Sequence, residues 1–198
     1  HGDYLPRHGF GYSVFSHRES GIDSELTVLV AEQAAVKLAI LTLSNNSGRT
    51  RKLSVTGYAE WTLGDLRTRT ASHIVTYPVT LSAGCGVLAN NFYAANGGER
   101  TAFFAVSGSY CSLTGDRREF IGRNGSLQNP QAMALRRLSG KTGAGLDPCA
   151  AVQSAATLID GDQRTFIFVL GAEENHSRAQ ETLARYLNED TVRQELNN

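Results

Sequence analysis

Three arginines stand within a short stretch of the chain, and their spacing suits the recognition of hydroxyl or phosphate groups. The stretch, 116–125, has the sequence DRREFIGRNG and is called the arginine segment below. A guanidinium group donates paired hydrogen bonds to such oxygen groups. Arg118, Arg123 and Asn124 are therefore candidate substrate-binding residues. The same composition also fits a solvated loop whose charges pair with each other, and the spacing leaves both interpretations open.

Carboxylates become important if the substrate is a sugar, because glycoside cleavage usually requires a general acid and a second group opposite it. The candidate acids are Asp23, Glu25, Glu60, Asp65, Asp116 and Glu119. Glu60 is a further candidate for substrate binding, since it lies on the polar face of a predicted strand beside Trp61. A solvated or salt-bridged residue on the strand surface is the favoured alternative for Glu60. No spacing identifies an active site, and no catalytic residue is assigned.

Other kinds of site are not supported by the sequence. The five histidines lack the spacing of metal ligands, so we expect no metal site. The Gly-x-Gly pairs lack the strand-then-helix context of a nucleotide site. Cys85, Cys111 and Cys149 are widely spaced and odd in number, which predicts free thiols in a reducing compartment.

The overall charge argues against nucleic acid as a partner, and the lack of a long apolar run argues against insertion into a membrane. Nineteen Lys and Arg balance nineteen Asp and Glu among 198 residues. A neutral chain lacks the basic footprint of a nucleic-acid-binding protein. No apolar run approaches the roughly 18–20 residues that cross a bilayer, so we expect no membrane insertion by this segment. The chain starts at His1 without a signal peptide, and we expect it to be part of a longer polypeptide.

Period-two alternation dominates most of the chain and predicts antiparallel strands. Within 51–62, Leu53, Val55 and Trp61 fall on one face, which favours core packing of Trp61 over a sugar-stacking platform. Further strands are predicted at 12–15, 26–31, 36–45, 74–81, 87–92, 102–107, 151–159 and 165–170. The last two are predicted to form a hairpin around the loop 160–163. This pattern indicates an all-β sandwich.

The period changes near the C-terminal end of the chain. Ser177 and Gln180 have the spacing of a capping box, which predicts a helix over 178–188. A second helix is predicted to begin with Asp190 as its cap. The apolar positions Leu183, Tyr186 and Leu187 have no obvious partner in the sequence. We therefore predict a sandwich domain at 1–174 and a helical linker at 175–198.

Several motifs, in the same order and over nearly the whole chain, resemble one family of glycoside phosphorylases. They are HGFGYSVF at 8–15, GIDSEL at 21–26, VKL at 36–38, NSGR at 46–49, YAEW at 58–61, REFIGR at 118–123 and GAGLDPCA at 143–150. The family comprises cellobiose and chitobiose phosphorylases and the C-terminal region of cyclic β-1,2-glucan synthases (glycoside hydrolase family 94, formerly glycosyltransferase family 36). The last motif is most similar to the glucan synthase branch.

The resemblance implies a fold and a reaction. Family members begin this region with an antiparallel β-supersandwich similar to galactose mutarotase, followed by a helical linker and an α/α barrel. They catalyse inverting phosphorolysis, with inorganic phosphate as co-substrate and no other cofactor. The catalytic acid and the phosphate site lie in the barrel, so no catalytic residue is transferred to this chain. Arg118 and Arg123 match the family pattern in a loop that points toward the sugar-entry side.

The leading hypothesis is therefore a non-catalytic sandwich domain of an enzyme that acts on β-glucan or gluco-oligosaccharides. The expected partners are the sugar, the α/α barrel of the same polypeptide and a second copy in a homodimer. The resemblance implies a cytoplasmic location, including the cytoplasmic side of an inner-membrane parent. The alternatives are a free-standing carbohydrate-binding module and a pure scaffold or dimerisation domain.

Overall fold

The computed structural model describes residues 4–93 and 100–197, and these form strands with two helices at the C-terminal end. The strands are β1 (Leu5–His8), β2 (Tyr12–Glu19), β3 (Ile22–Val30), β4 (Val36–Asn45), β5 (Arg51–Glu60), β6 (Ile74–Leu81), β7 (Gly84–Asn91), β8 (Thr101–Ser107), β9 (Cys111–Asp116), β10 (Pro148–Leu158) and β11 (Gln163–Glu173). The helices are α1 (Arg67–Thr70), α2 (Arg117–Ile121), α3 (His176–Tyr186) and α4 (Glu189–Asn197). Short 3₁₀ turns occupy Ala71–His73 and Gln131–Ala134.

The strands form two antiparallel sheets of unequal width. The large sheet has the order β1-β2-β3-β4-β11-β8-β7-β6, and the small sheet has the order β5-β10-β9. Two meanders, β1–β4 and β6–β8, make up the large sheet and are joined by β11 between them. The expected all-β supersandwich is confirmed.

The main core lies between the two sheets. The alternation predicted for 51–62 is observed, with Val55 of β5 buried and Leu53 packed against the same core. Trp61 follows β5 directly and is only 5% exposed, so its predicted place in the core is confirmed. Phe104 and Phe168 of the large sheet pack on each other beneath β5, with ring centroids 6.1 Å apart.

A second core lies on the opposite face of the large sheet and buries the C-terminal helices. Leu183, Tyr186 and Leu187 are all at least 97% buried against this face, together with Val192 of α4. The expectation that these residues lack a partner is therefore wrong. Strands β3, β4 and β8 carry a second set of apolar side chains, including Leu38 and Phe103, on the face that the helices cover. The division into domains at 174/175 stays a prediction.

The helix caps also differ from the prediction by a few residues. Asn175, rather than Ser177, caps α3, because its side chain accepts a hydrogen bond from the backbone N–H of Arg178. Asn188, rather than Asp190, accepts from the backbone at the start of α4, at 2.8 Å from the N–H of Asp190. Asparagine and serine are equally good N-caps, so the sequence alone did not decide between neighbouring candidates.

The chain changes sheets twice at one corner of the sandwich. The turn at 160–163 connects β10 of the small sheet with β11 of the large sheet, so the predicted hairpin is wrong. The β4–β5 turn crosses between the same two sheets. Asn45 joins the two crossings, because its buried amide donates to the carbonyls of Arg49 and Leu158 at 2.8 and 3.0 Å.

The cysteines also differ from the prediction. Cys85 of β7 and Cys111 of β9 form a disulfide between the large and small sheets, and their Cα atoms are 6.0 Å apart. The expectation of three free thiols is therefore wrong for this pair, which the fold brings together from opposite layers. Cys149 is free and fully buried.

Candidate functional site

The arginine segment begins where β9 ends at the small sheet. Buried Asp116 accepts a hydrogen bond from the backbone N–H of Arg118 at 3.0 Å and so caps the short helix α2. Lys141 Nζ lies 2.6 Å from the other carboxylate oxygen of Asp116. Gly122 ends the helix with a φ of +90°, a conformation that favours glycine. The following turn then exposes Arg123 and Asn124.

An apolar contact fixes α2 on the outer face of the small sheet. The Phe120 ring stacks on Tyr58 of β5, with centroids 4.4 Å apart and planes at 11°. Phe120 and Ile121 are buried together with Ala132, Leu138 and Ala151. The loop between α2 and β10 thus forms a small third core of its own over this sheet.

Glu60 connects this helix to the end of β5. Its Oε1 accepts hydrogen bonds from Tyr58 at 2.7 Å and from Arg117 Nε at 2.8 Å. Burial alone would raise the pKa of Glu60, but the hydrogen bonds from Arg117 and Tyr58 outweigh it, and the net pKa is lowered. The carboxylate therefore stays ionised. Burial and the same hydrogen bond raise the pKa of Tyr58.

Two further charges complete a four-membered ion network beside the segment. Arg67 Nε lies 3.4 Å from Glu60 Oε2, and the same guanidinium is bonded to Asp147. Arg117 lies 3.6 Å from the second oxygen of Asp147. Two guanidinium groups thus balance two carboxylates. Arg67 also donates to the backbone carbonyls of Trp61 and Pro148, at 2.9 and 3.0 Å, which ties the network to the end of β5 and the adjoining start of β10.

Glu119 fixes the segment to the loop that follows it. One carboxylate oxygen accepts from the hydroxyls of Thr114 and Ser139, both at 2.6 Å, and the other from the backbone of Ser139 at 2.9 Å. Cys149 lies buried near Asp116, Asp147 and Glu60. Burial, and secondarily the charge of Asp116, raise the pKa of its thiol, so the thiol stays protonated.

The predicted site residues fall into two groups. Arg118, Arg123 and Asn124 are exposed, and their side chains form no ion pair or hydrogen bond with the residues that the structure describes. Glu60 is joined to the same segment through Arg117, but its oxygens already have partners. No grouping of three or more His, Cys, Asp or Glu that could hold a metal occurs in 4–93 or 100–197.

The sequence interpretation missed the residues that hold the segment in place. Tyr58 shares the polar face of β5 with Glu60, so their alternation could have indicated the pair. Arg67 and Asp147 carry no such signal, because Asp147 lies far along the chain from both of its arginine partners and Arg67 lies outside any strand alternation. Only the fold brings them together.

The two unequal antiparallel sheets, with helices on the outer face of the larger, define a β-supersandwich domain. The family model for the glycosyl hydrolase 94 supersandwich domain matches residues 1–189, and the chain belongs to this family. The predicted resemblance is thereby confirmed, and the function of the chain is carbohydrate-related. Within the described residues, no helix has the length and apolar character needed to cross a membrane.

The chain is similar to parts of longer proteins. It is 37% identical over 182 residues to the cyclic beta-(1,2)-glucan synthase NdvB of Rhizobium meliloti, covering 89% of this chain and 6% of that protein. It is 24% identical over 185 residues to solabiose phosphorylase of Paenibacillus borealis, covering 93% of this chain and 24% of that protein. Among solved structures, a polysaccharide lyase matches the fold with a TM-score of 0.51 and 10% identity, over 86% of this chain and 23% of that one.

Proposed function

We propose that the chain is a non-catalytic domain of a longer enzyme and that its arginine segment forms one side of a binding site for β-glucan or gluco-oligosaccharides. The observation that carries the proposal is the contrast among three neighbouring arginines. Arg117 is held by Glu60 and Asp147, whereas Arg118 and Arg123 are exposed and without a partner among the described residues.

The residues around Arg118 and Arg123 form a rigid support for these two exposed side chains. A capped helix, a stacked aromatic pair and an ion network immobilise the segment on the small sheet. A rigid support lowers the entropy lost when a side chain on it binds a ligand. Guanidinium and amide groups donate hydrogen bonds that suit sugar hydroxyls. Arg118, Arg123 and Asn124 are therefore proposed to contact the sugar.

Glu60 has a different role in this proposal. Because its oxygens already accept from Tyr58 and Arg117, we propose that it acts through Arg117 by holding the segment in place. It is a positioning residue rather than a direct ligand of the sugar. The names of the relatives, which include a cyclic beta-(1,2)-glucan synthase and solabiose phosphorylase, agree with a saccharide as the ligand.

The catalytic groups are proposed to lie elsewhere in the same polypeptide. The chain spans 6% and 24% of the two relatives described above, so most of such a protein lies outside this domain. The expected partner is an α/α barrel that holds the catalytic acid and the inorganic phosphate. Support of that barrel, homodimer contacts and a cytoplasmic location are part of the proposal.

The test is the kinetics of Arg123→Ala in the longer enzyme on β-glucan oligosaccharides. The loss of one charged hydrogen bond is expected to weaken apparent sugar binding by roughly tenfold to a hundredfold. The melting temperature should stay unchanged, since the exposed Arg123 side chain forms no ion pair or hydrogen bond with a described residue. Arg164→Ala, an exposed arginine on β11, is the matched control and should leave the kinetics unchanged. Unchanged kinetics of Arg123→Ala would favour the scaffold alternative.

A second candidate function, a carbohydrate-binding module, has its own supporting observation. A cleft of about 400 Å³ between the β1–β2 turn and α4 is lined by Phe10, Tyr12, Glu32 and Glu195. Phe10 is fully exposed and Tyr12 is 45% exposed, so their rings are open to stacking on a sugar. In an NMR titration of the isolated chain with β-glucan oligosaccharides, shifts near Phe10 and Tyr12 would favour this function. Shifts near Arg118 and Arg123 would favour the first.

A further inference from the structure

The small sheet covers only part of the large one, and it ends at an open edge. The large sheet has eight strands and the small sheet three. Within the described residues, β5 pairs with β10 on one side and with no strand on the other. An unpaired edge presents backbone N–H and C=O groups to solvent, and natural proteins usually cover or block such an edge.

A row of apolar side chains on the inner face of the large sheet extends beyond this edge of the small sheet. Phe166, Leu41, Leu26 and Phe15 are direct cross-strand neighbours on β11, β4, β3 and β2. Phe166 is 1% exposed beneath the small sheet, Leu41 and Leu26 are half-buried, and Phe15 is 37% exposed. The inner face of the large sheet therefore stays apolar beyond the point where the small sheet ends.

The edge and the row together form a groove of about 380 Å³. Its floor is mostly apolar and includes Leu26, Ala39, Leu41 and Phe168, with Lys37 also lining the groove. Its wall is β5 from Val55 to Ala59. Gly57 leaves the wall without a side chain over Phe104 and Phe168. The groove thus combines free backbone hydrogen-bonding groups with an apolar floor, which is the pair of features that receives an added β-strand.

A second copy of the chain cannot fill this groove by pairing its own β5 with this one. Antiparallel pairing of two equivalent edges requires a twofold axis perpendicular to the sheet. That axis would place both large sheets on the same side of the joined small sheets. Strands β1–β4 of each copy would then occupy the space of the other, which excludes this pairing and favours a slender extended segment as the occupant.

We propose that an extended segment of the longer polypeptide that carries this domain pairs with β5 and covers the apolar row. The added strand would continue the small sheet and place alternate apolar side chains over Leu41, Leu26 and Phe15. The two relatives are at least fourfold longer than the region they share with this chain, which makes such a segment available in the same molecule. The proposal rests on that part of the proposed function which makes the chain a domain of a longer polypeptide, and it does not depend on saccharide binding.

The test is amide hydrogen exchange of β5 in the isolated 198-residue chain and in the longer polypeptide. Exchange at the outward amides of β5 is expected to slow by about tenfold or more in the longer polypeptide, because their hydrogen bonds then form. Strand β10, which has neighbours on both sides, is the internal control and should be protected in both. Equal exchange of β5 in the two proteins would overturn the proposal, as would protection that depends on protein concentration.

A second measurement uses the apolar dye ANS. The isolated chain is expected to bind ANS at the groove, and Leu41→Ser should reduce the fluorescence by about half or more, because it makes the floor polar. Ile159→Ser is the control, since Ile159 is 57% exposed on a turn outside the groove. In the longer polypeptide the groove is covered, so Leu41→Ser should leave the ANS fluorescence unchanged. A groove that binds ANS equally in both proteins would contradict the added strand.

Discussion

At the scale of single residues, Trp61 is part of the core. Its aromatic character alone would equally have fitted a platform that stacks on a sugar. Its ring is buried in the main core, and its indole N–H has no hydrogen-bond partner among the described residues. Trp61→Ala is therefore expected to lower the free energy of unfolding by roughly 3–5 kcal/mol. Trp61→Phe should cost clearly less, because no hydrogen bond is lost. Urea denaturation measures both.

An exposed aromatic provides the comparison for this prediction. Tyr110 is 80% exposed, and Tyr110→Ala should change the stability by no more than about 0.5 kcal/mol. If Trp61→Ala cost as little as Tyr110→Ala, the core position of the tryptophan would be wrong.

The ion network around Glu60 predicts a dependence of stability on pH. Since the pKa of Glu60 is lowered in the folded chain, its contribution to stability is present above the ordinary glutamate pKa of about 4.3 and is lost as the pH falls through the lowered value. Glu60→Gln should therefore be less stable than the natural chain at pH 7, and the difference should shrink as the pH falls below about 4.

Urea denaturation from pH 7 to pH 3 measures this difference. Glu181→Gln is the control, because Glu181 is 64% exposed and its pair with Arg178 lies on the surface of α3. Its pH profile should parallel that of the natural chain. A Glu60→Gln profile that also ran parallel would show that Glu60 contributes nothing through its charge.

At the scale of elements, the start of α3 provides a direct comparison of two candidate caps. Asn175 accepts the backbone hydrogen bond of Arg178, whereas the Ser177 hydroxyl contacts only Glu181. Asn175→Ala is therefore expected to lower the stability by about 0.5–2 kcal/mol, and Ser177→Ala by much less. Thermal or chemical denaturation of the two variants decides between them. Equal losses of stability would support the predicted capping box, in which Ser177 is the N-cap.

Strands were predictable where buried side chains recur along the strand, on either face of the sheet. The predictions for 36–45 and 74–81 agree with β4 and β6 at both ends. The prediction for β2 stopped at residue 15, although the strand continues to Glu19. Its last residues, including Ser16 and Arg18, are polar on both faces, so no alternation marks them. Pairing with β3, which a single strand does not reveal, holds them in the sheet.

At the scale of the whole molecule, the candidate site was predictable only in its contiguous part. The arginine segment is one stretch of sequence, and its charges and glycines could be identified directly. The network that supports it joins Glu60 to Arg117 and Asp147, residues that are distant in the chain and meet because β10 pairs with β5 on one side and with β9 on the other. The burial of α3 and the disulfide between layers were missed for the same reason, since both depend on how the layers stack.

The position of β11 determines when the molecule can complete its fold during synthesis. Strands β1–β4 and β6–β8 can each pair with their neighbours as they leave the ribosome, but the two meanders meet only through β11. Residues up to Glu173 must therefore emerge before the eight-stranded sheet is continuous. Until then the nascent chain carries unpaired edges at β4 and β8, which can pair with other chains and aggregate or be bound by chaperones. The large sheet is thus completed by β11, the last of the strands in the described residues.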